Sequence, residues 1–172
     1  QVANWGQTAR KEGLLSLENQ IDAQPDPFMR KGLQLLVDGI EPNRLREILE
    51  VGAARMAAAR TLTAAERETL WSRLTDVRGA PREDYRRLDS RLHLAIAEVA
   101  GVPSVVPLVA QNRMRINEML DQIPLLSLNI AHSDEQHEAI VMAILAGDAD
   151  SAAQTMTAHV WGSAALLHGF LD

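Results

Sequence analysis

The tripeptide Ala146-Gly147-Asp148 constrains the fold more than any other stretch of this chain. Gly147 reads as a helix stop, because glycine enters the left-handed conformation that closes a helix without a Cβ penalty. Asp148 reads as the N-cap of the next helix, its carboxylate accepting from the free N–H groups of the first turn. A stop joined directly to a start makes an antiparallel helical hairpin. Ten residues separate His137 from Gly147 and eleven separate Asp148 from His159. At the rise of an α-helix these arms are roughly 15 and 17 Å long, so closing the hairpin sets the two imidazoles side by side.

A second pair completes the set. Asp89 and His93 are spaced i,i+4, so they lie one turn apart on one face of a helix and can direct an oxygen and a nitrogen at one point. Asp89, His93, His137 and His159 together offer three imidazoles, one carboxylate and no thiolate, the donors of a four-ligand site inside a helical bundle. Such a set suits a divalent transition metal: zinc, nickel or manganese, with iron and cobalt also compatible. Each histidine taken singly could be an ordinary helix-surface residue. What favours the site is that the hairpin arithmetic and the i,i+4 pair agree.

The remainder of the chain is consistent with an all-α, antiparallel bundle of about six helices, preceded by an N-terminal helical extension. Aromatic residues make up 3% of the 172 residues, alanine is abundant after residue 52, and no strand pattern, glycine-rich phosphate loop or repeat is present. With no cysteine, disulfides and thiolate chemistry are excluded, as suits a reducing cytoplasm. No apolar run is long enough to span a membrane. The net charge of −6 argues against a nucleic-acid surface. Arg82, Arg86, Arg87 and Arg91 recur at helical spacing, but they are interleaved with Glu83, Asp84 and Asp89 and read as a solvated face.

In chain order, two short helices are expected before a break at Asp38-Gly39. A long helix follows from Glu41, with Pro42 in its first turn and Leu45, Leu49, Ala53, Met56 and Ala57 on its apolar face. Thr63 with Glu66 makes a capping box for a helix ending near Gly79. A third helix carries Asp89 and His93 and stops at Gly101-Val102-Pro103. A fourth runs from Ser104 to Gln122, with a kink expected at Pro107. Its apolar face, Val105, Leu108, Val109, Ile116 and Met119, also carries Asn112, with Arg113 at the border. A second capping box, Ser133 with Gln136, is expected to open the helix bearing His137, leaving His132 exposed just outside it. The last helix runs from Ala149 to about His168.

Two resemblances can be attached to particular strings. Ala9-Arg10-Lys11-Glu12-Gly13-Leu14-Leu15-Ser16-Leu17-Glu18 and Asp26-Pro27-Phe28-Met29-Arg30-Lys31-Gly32-Leu33-Gln34-Leu35-Leu36-Val37-Asp38-Gly39 resemble the cytoplasmic segment of the MotA flagellar stator family. In that family the residues matching Arg10 and Glu18 contact the rotor. The membrane helices that make a stator a motor have no counterpart here. From Arg46 onward the chain resembles the FCD domain, the helical effector-binding domain of FadR-type regulators in the GntR family. This second resemblance rests on Arg46-Glu47-Ile48-Leu49-Glu50 with Ala53-Ala54-Arg55-Met56-Ala57-Ala58, on Asp89-Ser90-Arg91-Leu92-His93, and on the closing hairpin from His137 to His159. Leu92 replaces the family's Phe, and Val102 replaces the usual Asn.

The FCD resemblance implies the same four metal ligands, Asp89, His93, His137 and His159. It also implies a small carboxylate effector, with Arg46 as an anchor able to pair bidentately and Asn112 and Arg113 as further pocket residues. Such regulators are commonly homodimers and reach DNA through a winged helix-turn-helix, which residues 1–45 do not resemble. The expected organisation is therefore a stator-like segment over residues 1–45, joined by fusion or by engineering to a cytoplasmic sensory domain over residues 46–172. Two other functions compete. A metal-dependent hydrolase lacks support, because His137-Glu138 has no second histidine at the zincin spacing and no other general base is marked. An interaction module would use Arg10 and Glu18 as contact charges.

Overall fold

The structure, a computed structural model, describes Arg30 and residues 42–171. The two helices expected before Asp38, with Arg10 and Glu18, lie outside the described residues. The described part is all-α, with no strand among the described residues, and its six helices are separated by short connections. Among them no helix is long and apolar enough to cross a membrane.

Helix α1 begins at Pro42, whose missing N–H has no role in a first turn. It runs as α-helix over Pro42–Arg46, widens into a π-helical turn over Glu47–Val51, and returns to α-helix over Gly52–Ala58. The buried residues form two rows spaced by four: Leu45, Leu49, Ala53 and Ala57, and beside them Arg46, Glu50, Ala54 and Ala58. In an α-helix a row spaced by four drifts by about 40° per step. A π-turn takes up more residues and offsets that drift, so both rows stay on the buried face. This keeps Arg46 and Glu50 inside.

Helix α2 (Ala64–Arg78) opens with the expected capping box. The Glu66 N–H donates to Thr63 Oγ1 at 3.2 Å, and the Thr63 N–H donates to Glu66 Oε2 at 2.7 Å. Helix α3 (Tyr85–Val99) buries Tyr85, Asp89, Leu92, His93, Ile96 and Val99, a continuous stripe at helical spacing. Gly101 ends it at φ 75°. Helix α4 (Val105–Leu120) is continuous, because Pro107 falls within the first turn, where no N–H is needed. The kink expected there is therefore unnecessary.

Helix α5 (Ser127–Ala146) corrects the sequence reading at its start. Ser133 and Gln136 do not open it. The entry is Leu126, in extended conformation, whose carbonyl accepts from the N–H groups of Asn129 and Ile130 at 3.0 and 3.1 Å. A Ser-x-x-Gln pair marks a start only where the preceding residues leave the helix, and here residues 127–132 are already helical. His132 is thus inside α5, on its exposed side.

The link from α5 to helix α6 (Ala149–Leu171) is as expected. Gly147 is left-handed, at φ 77° and ψ 18°. Its N–H donates to Ile144 O and that of Asp148 donates to Ala143 O, the paired bonds of a Schellman stop. Asp148 Oδ1 accepts from the Ser151 N–H at 3.0 Å, capping α6. The Ala-rich helix α1 occupies the centre, packed against α3, α4, α5 and α6, while α2 packs on α3 and α5. Small side chains on α1 and on α6 (Ala152, Ala153) let the backbones approach closely.

Candidate metal centre and acid pocket

Asp89 and His93 enter the interior from α3, His137 from α5 and His159 from α6. Each residue offers a ligand atom within 4.8 Å of the others. Asp89 Oδ1 lies 3.0 Å from His137 Nε2 and 3.6 Å from His93 Nε2. The His137 and His159 ring centroids are 4.6 Å apart, and those of His93 and His159 are 5.1 Å apart and nearly parallel. The antiparallel hairpin thus sets the two imidazoles side by side.

Burial, followed by the neighbouring imidazoles and guanidiniums, holds His137 and His159 well below the ordinary histidine value. Neither Nε2 of His93 nor Nε2 of His137 makes a hydrogen bond within the protein. Buried polar atoms are almost always satisfied, so these nitrogens call for a partner. A divalent metal fits. Donors about 2.1 Å from one ion sit at most about 4.2 Å apart, and shifts of a fraction of an ångström would close this set to that size.

Beside the cluster lies a cavity of about 60 Å³ lined by Arg46, Tyr85, Arg113, Asn129, Ser133 and His159, among others. That is room for a few water molecules or a carboxylate group, far below a drug-sized site. An open groove of about 830 Å³ between α3 and α4 is larger, but none of the four candidate ligands lines it. Arg46 and Arg113 are almost completely buried, at 1% and 2% exposure. Arg113 is paired with Asp89, and Arg46 Nη2 lies 3.3 Å from His159 Nε2. Burial lowers the Arg113 guanidinium to about 9, with Glu50 pulling the other way, so it stays charged at neutral pH. Asn112 is also buried, but it is not among the residues lining the cavity.

The FCD domain model matches residues 43–161, more than half of the chain. This chain belongs to the FCD domain family. FCD domains are regulatory, effector-binding domains of GntR-family regulators rather than catalytic ones. A short stretch of the chain is also similar to motility protein A of Borreliella burgdorferi, 42% identical over 48 residues, or 28% of this chain and 18% of that protein. Motility protein A of Bacillus subtilis is 43% identical over 47 residues, or 27% of this chain and 17% of that protein. This chain spans less than a fifth of the length of these relatives.

Several residues of the site are not ones that the sequence pointed to as site residues. Glu50 is 2% exposed and lies against His93, Arg46 and Arg113. Burial alone would raise its carboxyl, but Arg46, His93 and Arg113 outweigh that and hold it well below the usual carboxylate range. Gln136 Oε1 is 3.0 Å from His159 Nδ1, and the Tyr85 hydroxyl donates to Asp134 Oδ1 at 3.1 Å. The signal for Glu50 was its i,i+4 spacing from Arg46, with Leu49 and Ala53 alongside, which places a charged pair on an apolar face.

Of the four arginines Arg82, Arg86, Arg87 and Arg91, three are exposed as a solvated face requires and Arg86 departs from it. Arg86 is half-buried; its Nη2 donates to the carbonyl of Ile123 at 3.1 Å and to that of Leu120, and Arg82 donates to that of Leu125. Between them they fasten the α4–α5 connection. The free carbonyls left at the end of α4 explain why guanidiniums are drawn there.

Proposed function

We propose that this FCD domain is the ligand-sensing half of a transcriptional regulator that holds a divalent metal ion through Asp89, His93, His137 and His159 and takes a small organic acid into the adjoining cavity. The observation that carries this reading is the convergence of three imidazoles and one carboxylate from three helices in a buried space, with nitrogens left unsatisfied. Zinc, nickel and manganese all suit the donors. When bound, the ion supplies positive charge and open coordination positions to a carboxylate. Arg46 and Arg113 supply the remaining recognition, since a guanidinium matches a carboxylate in shape and charge. The size of the cavity limits the acid to a small one.

Sensing requires that the acid bind two states of the regulator with different affinities. In this proposal the protein is a cytoplasmic homodimer, and contact with DNA falls to a winged helix-turn-helix outside the sensory domain. We further propose that residues 46–172 form the sensory unit and residues 1–45 a separate stator-like segment, in line with the similarity to motility protein A. Arg10 and Glu18 would then be contact charges for a rotor protein, and a pull-down that depends on both charges tests that role.

The deciding experiment is metal content by mass spectrometry of the purified wild type beside His137→Ala and His159→Ala. About one equivalent of transition metal in the wild type, lost in both variants, is expected. Metal-free wild type that also fails to take up zinc, nickel or manganese would sink the reading.

A further inference from the structure

The three histidines share an arrangement that the four candidate ligands alone do not explain. Each turns Nε2 toward the centre of the cluster and faces an oxygen from its Nδ1 side. Glu50 Oε2 lies 2.8 Å from His93 Nδ1, Gln136 Oε1 lies 3.0 Å from His159 Nδ1, and Asp134 Oδ1 lies 4.0 Å from His137 Nδ1. A neutral imidazole has one N–H and one lone pair. At His93 and His159 an oxygen within about 3 Å of Nδ1 attracts the proton there and favours the lone pair on Nε2, pointing inward, whereas at His137 the nearer oxygen, Asp89 Oδ1 at 3.0 Å, stands on the Nε2 side.

Glu50 differs from the other two in what else it touches. The same Oε2 accepts from Arg46 Nε at 3.1 Å, and Oε1 lies 3.8 Å from Arg113 Nη1. One buried carboxylate is therefore in contact with a candidate metal ligand and with both guanidiniums that line the acid cavity. The π-turn of α1 contains Glu50 and helps to keep it on the buried face beside Arg46.

We propose that Glu50 is a positioning residue that ties the metal half of the site to the acid half. It fixes His93 with Nε2 inward, and it holds Arg46 and Arg113 against the cavity. Gln136 does the first of these tasks for His159 and has no part in the second. This inference rests on the metal-binding reading above, and the wild-type zinc titration tests that reading separately.

The experiment compares wild type, Glu50→Gln and Gln136→Leu. Zinc affinity is measured by competition with a chromophoric chelator. The histidine ring nitrogens and the Arg46 Nε–H are followed by ¹⁵N NMR in the zinc-loaded, diamagnetic protein. Loss of an outer partner of a ligating histidine typically weakens metal binding about 10–100-fold, so both variants should fall in that range. The Arg46 Nε–H signal should shift and exchange faster in Glu50→Gln and stay as in wild type in Gln136→Leu. Wild-type protein that binds no zinc removes the metal reading itself. Zinc-binding wild type with His93 ligating through Nδ1 overturns the proposal without any variant. So does Glu50→Gln with zinc affinity within about twofold of wild type, or with an unchanged Arg46 signal. If Glu50→Gln does not fold, the wild-type His93 tautomer decides.

Discussion

Helix α1 and the α5–α6 hairpin send side chains to the same buried space by different means. The hairpin contributes neutral rings, His137 and His159, and is shaped by local chemistry: a left-handed glycine, two stop bonds and an aspartate cap. Helix α1 contributes permanent charges, Arg46 and Glu50, and keeps them inside through long-range pairing with Arg113 and His93. Neutral groups can be buried by backbone rules alone. Buried charges need one another, so removing one should propagate through the site while changes to the hairpin turn should stay local.

The largest effect is therefore expected on the charged side. Arg113→Ala takes away the buried partner of Asp89 and a nearby countercharge of Glu50. Breaking a buried ion pair by removing one member costs about 3–5 kcal/mol, because the charge left behind remains unsolvated. Urea denaturation of the metal-free protein should show a loss of that size. A loss under about 1 kcal/mol would mean that water reaches Asp89 and that the network contributes little.

The hairpin side should respond to pH instead. His137 and His159 are held below their unfolded value, so in acid the unfolded chain takes up protons that the folded one does not. Stability then falls as pH drops below about 6.5 and is fully present above it. For each pH unit the loss is up to about 1.4 kcal/mol per ring. Denaturation midpoints of the metal-free protein at pH 7.5 and 5.5 measure this. A flat profile between them would mean that the rings are hydrated or already share a proton.

The same contrast explains what the sequence disclosed. Gly147 with Asp148, Thr63 with Glu66, and Gly101 are signals read within a few residues, and the structure has each where it was expected. The convergence of Asp89, His93, His137 and His159 could be read too, because one pair is a helical i,i+4 spacing and the other follows from equal arms of a hairpin. Ser133 with Gln136 misled because a capping pair inside an existing helix has the same letters as one at its start. Glu50 stayed hidden because its role depends on partners 43 and 63 residues away in sequence, at His93 and Arg113, and on a π-turn that propensity does not mark.

The smallest and most local effect is expected at the turn itself. A Cβ built on Gly147 would meet only the Ala58 carbonyl oxygen, at 3.8 Å, so Gly147→Ala introduces no clash. What remains is the left-handed conformation, which costs an L-residue roughly 1–2 kcal/mol. The lower entropy of an unfolded alanine offsets about 0.4–1 kcal/mol of that. A net loss near ~1 kcal/mol in thermal or urea unfolding is expected, with zinc affinity within about twofold of wild type. The two readouts should separate because the Schellman bonds stay available to alanine at a conformational cost, so the arms keep their register. If Gly147→Ala instead weakened zinc binding as strongly as Glu50→Gln, the histidines would depend on the turn for their placement. The contrast between a locally built hairpin and a globally held α1 would then fail.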